Sequence, residues 1–193
     1  MGNLAFLLLE AAREMLEEVG PAQLSLRAVS KRIGVSSAAT YHHYANRADL
    51  IGHLAAQGFR ELAKVFMQTD VDRTSLQSQR NISVGYFNFA RSNPALYQLM
   101  FGPEIASGEM IPELRVAREE AFVALKRSIA DYLEQDLDSG EVRRASLAGW
   151  SFIHGLSSLA LNNALRIPEG ATDESFVDRT LQGLEHLLSA WKK

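Results

Sequence analysis

Across the 193 residues, apolar side chains recur every three or four positions, and no stretch alternates apolar with polar residues long enough to make a sheet. A chain with that single period buries its apolar faces by packing helix on helix, so an all-α fold is expected. Leu8, Ala12, Met15, Leu16 and Val19 form one stripe of a first helix, ended by Gly20 and Pro21. Ser25 stands where it can cap a second helix, whose Leu26, Val29 and Ile33 share a face and which Gly34 stops. Ser36 or Ser37 can cap a third, short helix to about Tyr44, and Asn46 a long fourth helix from Arg47 to about Met67. Further helices are expected from about Ser75 to Ser92, from the cap pair Asn93-Pro94 to Gly102-Pro103, and from Pro112 to about Asp136. Two more span about Glu141 to Arg166 and Asp173 to Trp191, and residues 103–111 read as a loop. That makes about nine helices. The expected organisation is a three-helix N-terminal domain, residues 1–50, joined by the long helix to a helical domain over residues 51–193.

Charge is distributed unevenly. The chain as a whole carries −3, yet residues 21–60 hold Arg27, Lys31, Arg32, Arg47 and Arg60 against Asp49 alone. A basic segment in an acidic chain is either a footprint for a polyanion or an ordinary solvated face. Cysteine is absent, which excludes disulfides, thiol nucleophiles and cysteine-held zinc. No apolar run is long enough to span a bilayer. The start, MGNLAFLLLEAARE, runs straight into charged residues at helical spacing, so it reads as mature protein and the chain as cytoplasmic.

Residues 25–50, SLRAVSKRIGVSSAATYHHYANRADL, bring several signals together. Two short helices meet at Gly34-Val35-Ser36, the length and turn of a helix-turn-helix. Small Ser30 lets the two helices approach closely. The second of them opens with Ser36, Ser37, Ala38 and Ala39, small enough for its backbone to come near a phosphate or a base edge. Tyr41, His42, His43 and Arg47 place aromatic and basic groups at its rim. A plain three-helix core with no nucleic acid is the competing reading, and the coincidence of spacing, turn, small residues and charge favours DNA.

These residues resemble the N-terminal domain of tetracycline-repressor-like (TetR-family) transcriptional regulators. The matching positions are Ala11, Ala12, Gly20, Ser25, Gly34, Val35, Ser36, Tyr41, His43, Tyr44, Arg47 and Leu50, over residues 5–55. NPALYQLMFG (93–102) and WSFIHG (150–155) resemble members of that family whose second half carries a Trp, His and Gly signature. The resemblance implies a homodimeric DNA-binding regulator, most simply a repressor released from a palindromic operator by a small, largely apolar effector. It implies base-edge contacts by Arg27, Ser37, Ala38 and His42, and phosphate contacts by Ser25, Ser36, Tyr41 and Arg47. Two positions depart from the pattern: Ala39 stands where many members have Thr, and Thr40 where many have an apolar residue facing the core.

The other chemistry in the chain is thin. Of five histidines only His42 and His43 are close in sequence, and helix neighbours point about 100° apart, so no metal site is expected. There is no phosphate loop, dinucleotide glycine pattern or serine elbow, so neither a cofactor nor enzyme activity is expected. In the second half Tyr97, Met100, Phe101, Phe122 and Trp150 are large side chains that either fill the core or line a cavity. Trp150, His154, Ser157 and Leu161 share one helical stripe, a polar set amid apolar residues, and such a set suits a small-ligand site. Ala145, Ala148, Gly149, Phe152, Gly155, Leu156 and Leu159, with Phe176, Leu181, Leu184, Leu188 and Trp191, are the candidate dimer face, or else the interior of one subunit. The alternatives to a regulator are a helical ligand-binding protein whose DNA reader has degenerated, and a helical-bundle enzyme.

Overall fold

Ten α-helices and a single 3₁₀ turn make up the regular structure of the described residues, with no strand among them. The computed structural model describes residues 3–67, 72–106, 111–165 and 173–191, with backbone alone at 106, 173–174, 176–178 and 187. In order they are α1 (Asn3–Val19), the turn Pro21–Gln23, α2 (Leu26–Ile33), α3 (Ser37–Tyr41), α4 (Arg47–Met67) and α5 (Leu76–Ser92). Then come α6 (Pro94–Phe101), α7 (Pro103–Ala106), α8 (Pro112–Leu133), α9 (Gly140–Leu161) and α10 (Asp173–Trp191).

The local stop and start signals act as their chemistry requires. The Ser25 hydroxyl accepts from the Ala28 N–H at 3.2 Å, and Ser36 from the Ala39 N–H at 3.1 Å. Gly34 ends α2 in the left-handed region, φ 71°, with Val35 N–H returning to the Ser30 carbonyl at 3.0 Å. Asn46 Oδ1 accepts from the Asp49 N–H at 2.9 Å and opens α4.

Four expectations need correction. The segment expected to be a loop after Phe101 contains the short helix α7, because Pro103 not only ends α6 but also sets the first turn of the next helix. Asn93 does not cap α6: its Oδ1 accepts from Arg13 Nη2 at 2.6 Å, while the Glu17 carboxylate takes the Ala95 and Leu96 N–H groups at 3.0 and 3.1 Å. Helix α3 stops at Tyr41, three residues early, so that Tyr44 turns inward and donates its hydroxyl to the Ala5 carbonyl at 3.0 Å. Burial, and secondarily the Asp49 carboxylate, push the Tyr44 phenol up to about 12. Helix α9 ends at Leu161, followed by a left-handed Asn163, φ 53°. The rest of its expected span begins to leave the described residues at 166.

The helices gather into two compact units that do not follow chain order. Residues 1–61 and 93–120 form the first, and residues 62–92 and 121–193 the second. Both α4 and α8 therefore contribute to each. In the first unit Leu8, Leu16, Leu26, Val29, Leu50, Leu54, Leu96 and Met100 are buried. Gly58 on α4 permits close packing there: a Cβ on it would lie 2.5 Å from Met100 Sδ and 2.8 Å from Leu96 Cδ2. In the second unit α5, α9 and α10 pack on one another around Ile82, Tyr86, Val142, Ala145, Leu184 and Leu188.

Candidate nucleic-acid interface and a cleft in the second unit

Helix α3 is held against α2 by apolar contacts and one polar pair. Thr40 is fully buried, and its hydroxyl meets Ser30 Oγ at 2.7 Å, while Ser30 also bonds the Leu26 carbonyl at 2.7 Å. The anomalous polar residue at position 40 thus has its partner ten residues upstream, and the pair fixes the angle between the two helices without leaving a hydroxyl unpaired. Outside that seam, Arg27, Ser36, Ser37, Ala38, Tyr41, His42 and His43 are all exposed, and Ser25 is half-buried. Six of the eight expected DNA residues therefore lie on accessible surface in full. The capping serines keep a hydroxyl proton to donate, since capping uses only a lone pair.

Arg47 is the exception. Its Nε donates to the Leu24 carbonyl at 2.9 Å, and its Nη2 to the Pro21 carbonyl at 2.5 Å and to the Glu104 carboxylate at 3.0 Å. A guanidinium with three internal acceptors clamps the turn between α1 and α2. Arg32 is similarly occupied, with Nη1 and Nη2 each 2.6 Å from a Glu18 oxygen and Glu14 at 3.4 Å. Of the five cations counted in this stretch, Arg27, Lys31 and Arg60 are exposed with no ion-pair partner among the described residues. The charge available to a polyanion is thus smaller than the sequence arithmetic suggests.

The seven residues expected to line a ligand site divide between the units. Tyr97, Met100 and Phe101 belong to the first, where Phe101 packs edge-on to Phe59 at 5.4 Å and Tyr97 and Met100 are buried. Phe122, Trp150, His154 and Ser157 belong to the second. There a narrow apolar cleft runs between Phe66, Ile82, Tyr86, Leu125, Ile129, Trp150, Ile153, Leu184 and Leu188, with Gln79 and Ser83 as its polar wall. Phe122 lies 6.0 Å from Trp150, ring to ring, and does not line the cleft. The buried Ser157 hydroxyl has no hydrogen-bond partner and does not line the cleft.

Tyr86 is the polar centre that sequence reasoning missed. Trp150 Nε1 donates to its hydroxyl at 3.3 Å, and that hydroxyl lies 3.2 Å from His154 Nδ1. Ser158 Oγ is 3.5 Å from His154 Nε2. Since the indole can only donate, every proton finds an acceptor when Tyr86 gives its own to Nδ1 and the imidazole carries its proton on Nε2. This chain of bonds wants a neutral ring. Burial also holds His154 below the ordinary imidazole range. An unfolded chain takes up that proton as pH falls through about 6.5, whereas the folded one resists it, so the contribution to stability is lost on acidification. Urea unfolding at about pH 7.5 and 5.5 is expected to show a smaller acid loss in His154→Gln than in the wild type; equal losses would contradict the assignment. The sequence trace of Tyr86 is slight: a phenol on the buried face of α5, among Gln79, Ile82, Ser83 and Phe89.

On α9 the candidate dimer residues also separate. Ala145, Gly149 and Leu156 are interior, while Ala148, Phe152 and Gly155 are half-buried and Leu159 is 47% exposed. Those four recur at spacings of four, three and four, one accessible stripe. On α10 Leu181, Leu184 and Leu188 are buried, and the Phe176 side chain lies outside the described residues. Among the described residues no three metal-binding side chains cluster, and no helix is long and apolar enough to cross a membrane.

The family model described as bacterial regulatory proteins, tetR family, matches residues 8–54. A second, the tetracyclin repressor-like C-terminal domain, matches residues 80–184. A nucleoid occlusion factor SlmA from Marinomonas sp. (strain MWYL1) is 27% identical over 141 residues, 69% of this chain and 68% of the relative. A solved Rhodococcus sp. RHA1 protein described as of unknown function superposes with TM-score 0.77 at 25% identity, covering 100% of this chain and 95% of the other. A bacterial regulatory protein in the tetR family from Rhodococcus RHA1 shares the fold, with TM-score 0.67 and 15% identity over 97% of this chain and 98% of its own.

Proposed function

Because this chain belongs to the tetracycline-repressor family of bacterial regulatory proteins, and is thereby a DNA-binding transcriptional regulator, we propose that it is a homodimeric repressor. In this reading a small, largely apolar effector releases it from a palindromic operator. Within the family it joins the members marked by Trp150, His154 and Gly155. The observation that carries the DNA reading is the exposed edge of α3 with the two unpaired cations of α2. Base edges fall to Arg27, Ser37, Ala38 and His42, and phosphates to Ser25, Ser36 and Tyr41, with Lys31 added to them. Arg47, expected on phosphate, becomes a positioning residue.

The stripe Ala148, Phe152, Gly155 and Leu159 supports a two-fold contact between copies of α9. Nothing within 4 Å would meet a Cβ on Gly155, so a partner helix can approach there. The cleft beside Trp150 supports the effector site, being mostly apolar with a few fixed polar groups. Regulation takes place in the cytoplasm, where the operator is.

The salt dependence of duplex binding tests the phosphate assignments, and the preference among duplex sequences tests the base assignments. Lys31→Ala is expected to flatten the plot of log affinity against log salt by about one unit, whereas Arg27→Ala should relax sequence preference with little change in that slope. Tyr41→Phe should weaken all duplexes alike. An unchanged slope in Lys31→Ala together with unchanged sequence preference in Arg27→Ala would remove α2 from the interface.

A further inference from the structure

A second cleft lies in the same unit as the apolar one and shares Phe66 and Gln79 with it. Its lining is of a different character, with Arg73, Ser78, Arg127 and Ser128 around the shared amide. Ser78 is 1% exposed and its Oγ has no hydrogen-bond partner. A buried hydroxyl left in that condition costs about 1–3 kcal/mol, which a ligand oxygen would recover. Gln79 is fixed by its Nε2, which donates to the Ser128 carbonyl at 2.9 Å. Arg73 leans on Asp131 at 3.3 Å, so its charge is already answered. Arg127 is exposed and has no ion-pair partner among the described residues.

An unanswered guanidinium and an unanswered buried hydroxyl on one cleft wall form the donor set that a carboxylate takes, a charge-assisted fork plus a single hydroxyl bond. The adjoining cleft offers the reverse, an aromatic and aliphatic channel whose polar groups are few. We propose that the effector is an amphiphile, with its apolar body beside Trp150 and Ile82 and a carboxylate head on Arg127 and Ser78. This rests on the reading of the apolar cleft as the effector site. It adds the polar end that the apolar lining alone does not specify. Arg127 is exposed, so a charge held on it keeps part of its water.

Calorimetric titration of the full-length protein with decanoate and with decanol, each below its micelle concentration, separates the two ends of the ligand. The wild type is expected to bind decanoate about tenfold more tightly than decanol, the effect of one charge-assisted contact at a half-exposed site. Arg127→Gln should bring the two to parity while leaving decanol unchanged. Ser78→Ala should weaken decanoate about threefold, one neutral hydrogen bond. Trp150→Ala should weaken both. Equal affinity for acid and alcohol in the wild type, or decanoate binding indifferent to Arg127→Gln, would overturn the head site and leave the apolar cleft standing. Failure of both compounds to bind would overturn the head site and the effector cleft together.

Discussion

Replacing Arg47 with alanine is expected to lower stability by about 1–2 kcal/mol, with little change in how DNA affinity responds to salt. The three acceptors of its guanidinium are two backbone carbonyls, Pro21 and Leu24, and the Glu104 carboxylate. Because the side chain is 38% exposed, water can replace part of what the variant loses, which keeps the cost at the lower end for a charged donor. Arg47→Lys should recover little, since an ammonium cannot reach three acceptors in the plane of one fork. DNA affinity in the alanine variant falls only as far as the turn carrying α2 is loosened. Urea unfolding and a salt titration on the same preparation separate the two roles. A protein of unchanged stability whose salt slope drops by about one would return Arg47 to the phosphate.

Gly58→Val is expected to be more damaging still, by about 2–3 kcal/mol, or roughly 5–10 °C in Tm. The added Cβ would lie 2.5 Å from Met100 Sδ and 2.8 Å from Leu96 Cδ2, inside any van der Waals contact. Both neighbours are side-chain ends, which ordinarily move aside. Here Leu96 and Met100 are 0% and 1% exposed, so neither has anywhere to go. Valine gains little helix propensity over glycine, so nothing offsets the strain. A variant as stable as the wild type would show that α4 and α6 are less closely packed than the structure has them.

The features legible in the sequence were those whose cause lies within a few residues. Ser25, Gly34 and Ser36 set their helix ends through partners three to five positions away, and the periodicity of α1 gave its buried face directly. The features that the sequence does not show depend on distant partners. Asn93 looks like a cap, but the cap comes from Glu17, which lies 78 positions away from Ala95. Arg47 sits in a basic stretch, and its bonds to Glu104 and two carbonyls do not show in the sequence. Tyr97 and Trp150 are both large and aromatic, yet they belong to different units, because periodicity reports which face of a helix is buried and not against what. Tyr86 was invisible for the same reason. Its hydroxyl matters only because Trp150 and His154, more than sixty positions on, converge on it. Thr40 was legible as an anomaly, and Ser30 as a small residue, but their hydrogen bond required the fold.

Helices α2 and α3 are proposed to read DNA sequence as a two-fold pair, with Arg27 touching a base edge. Selection from a library of random duplexes, carried out in parallel with wild type and Arg27→Ala, tests this reading most directly. The wild type should enrich an inverted repeat, as two readers related by a dimer axis require. Arg27→Ala should enrich the same repeat with one position relaxed in each half, corresponding to about 1–3 kcal/mol of lost discrimination. Enrichment of no motif by the wild type, or of an identical motif by both proteins, would contradict it.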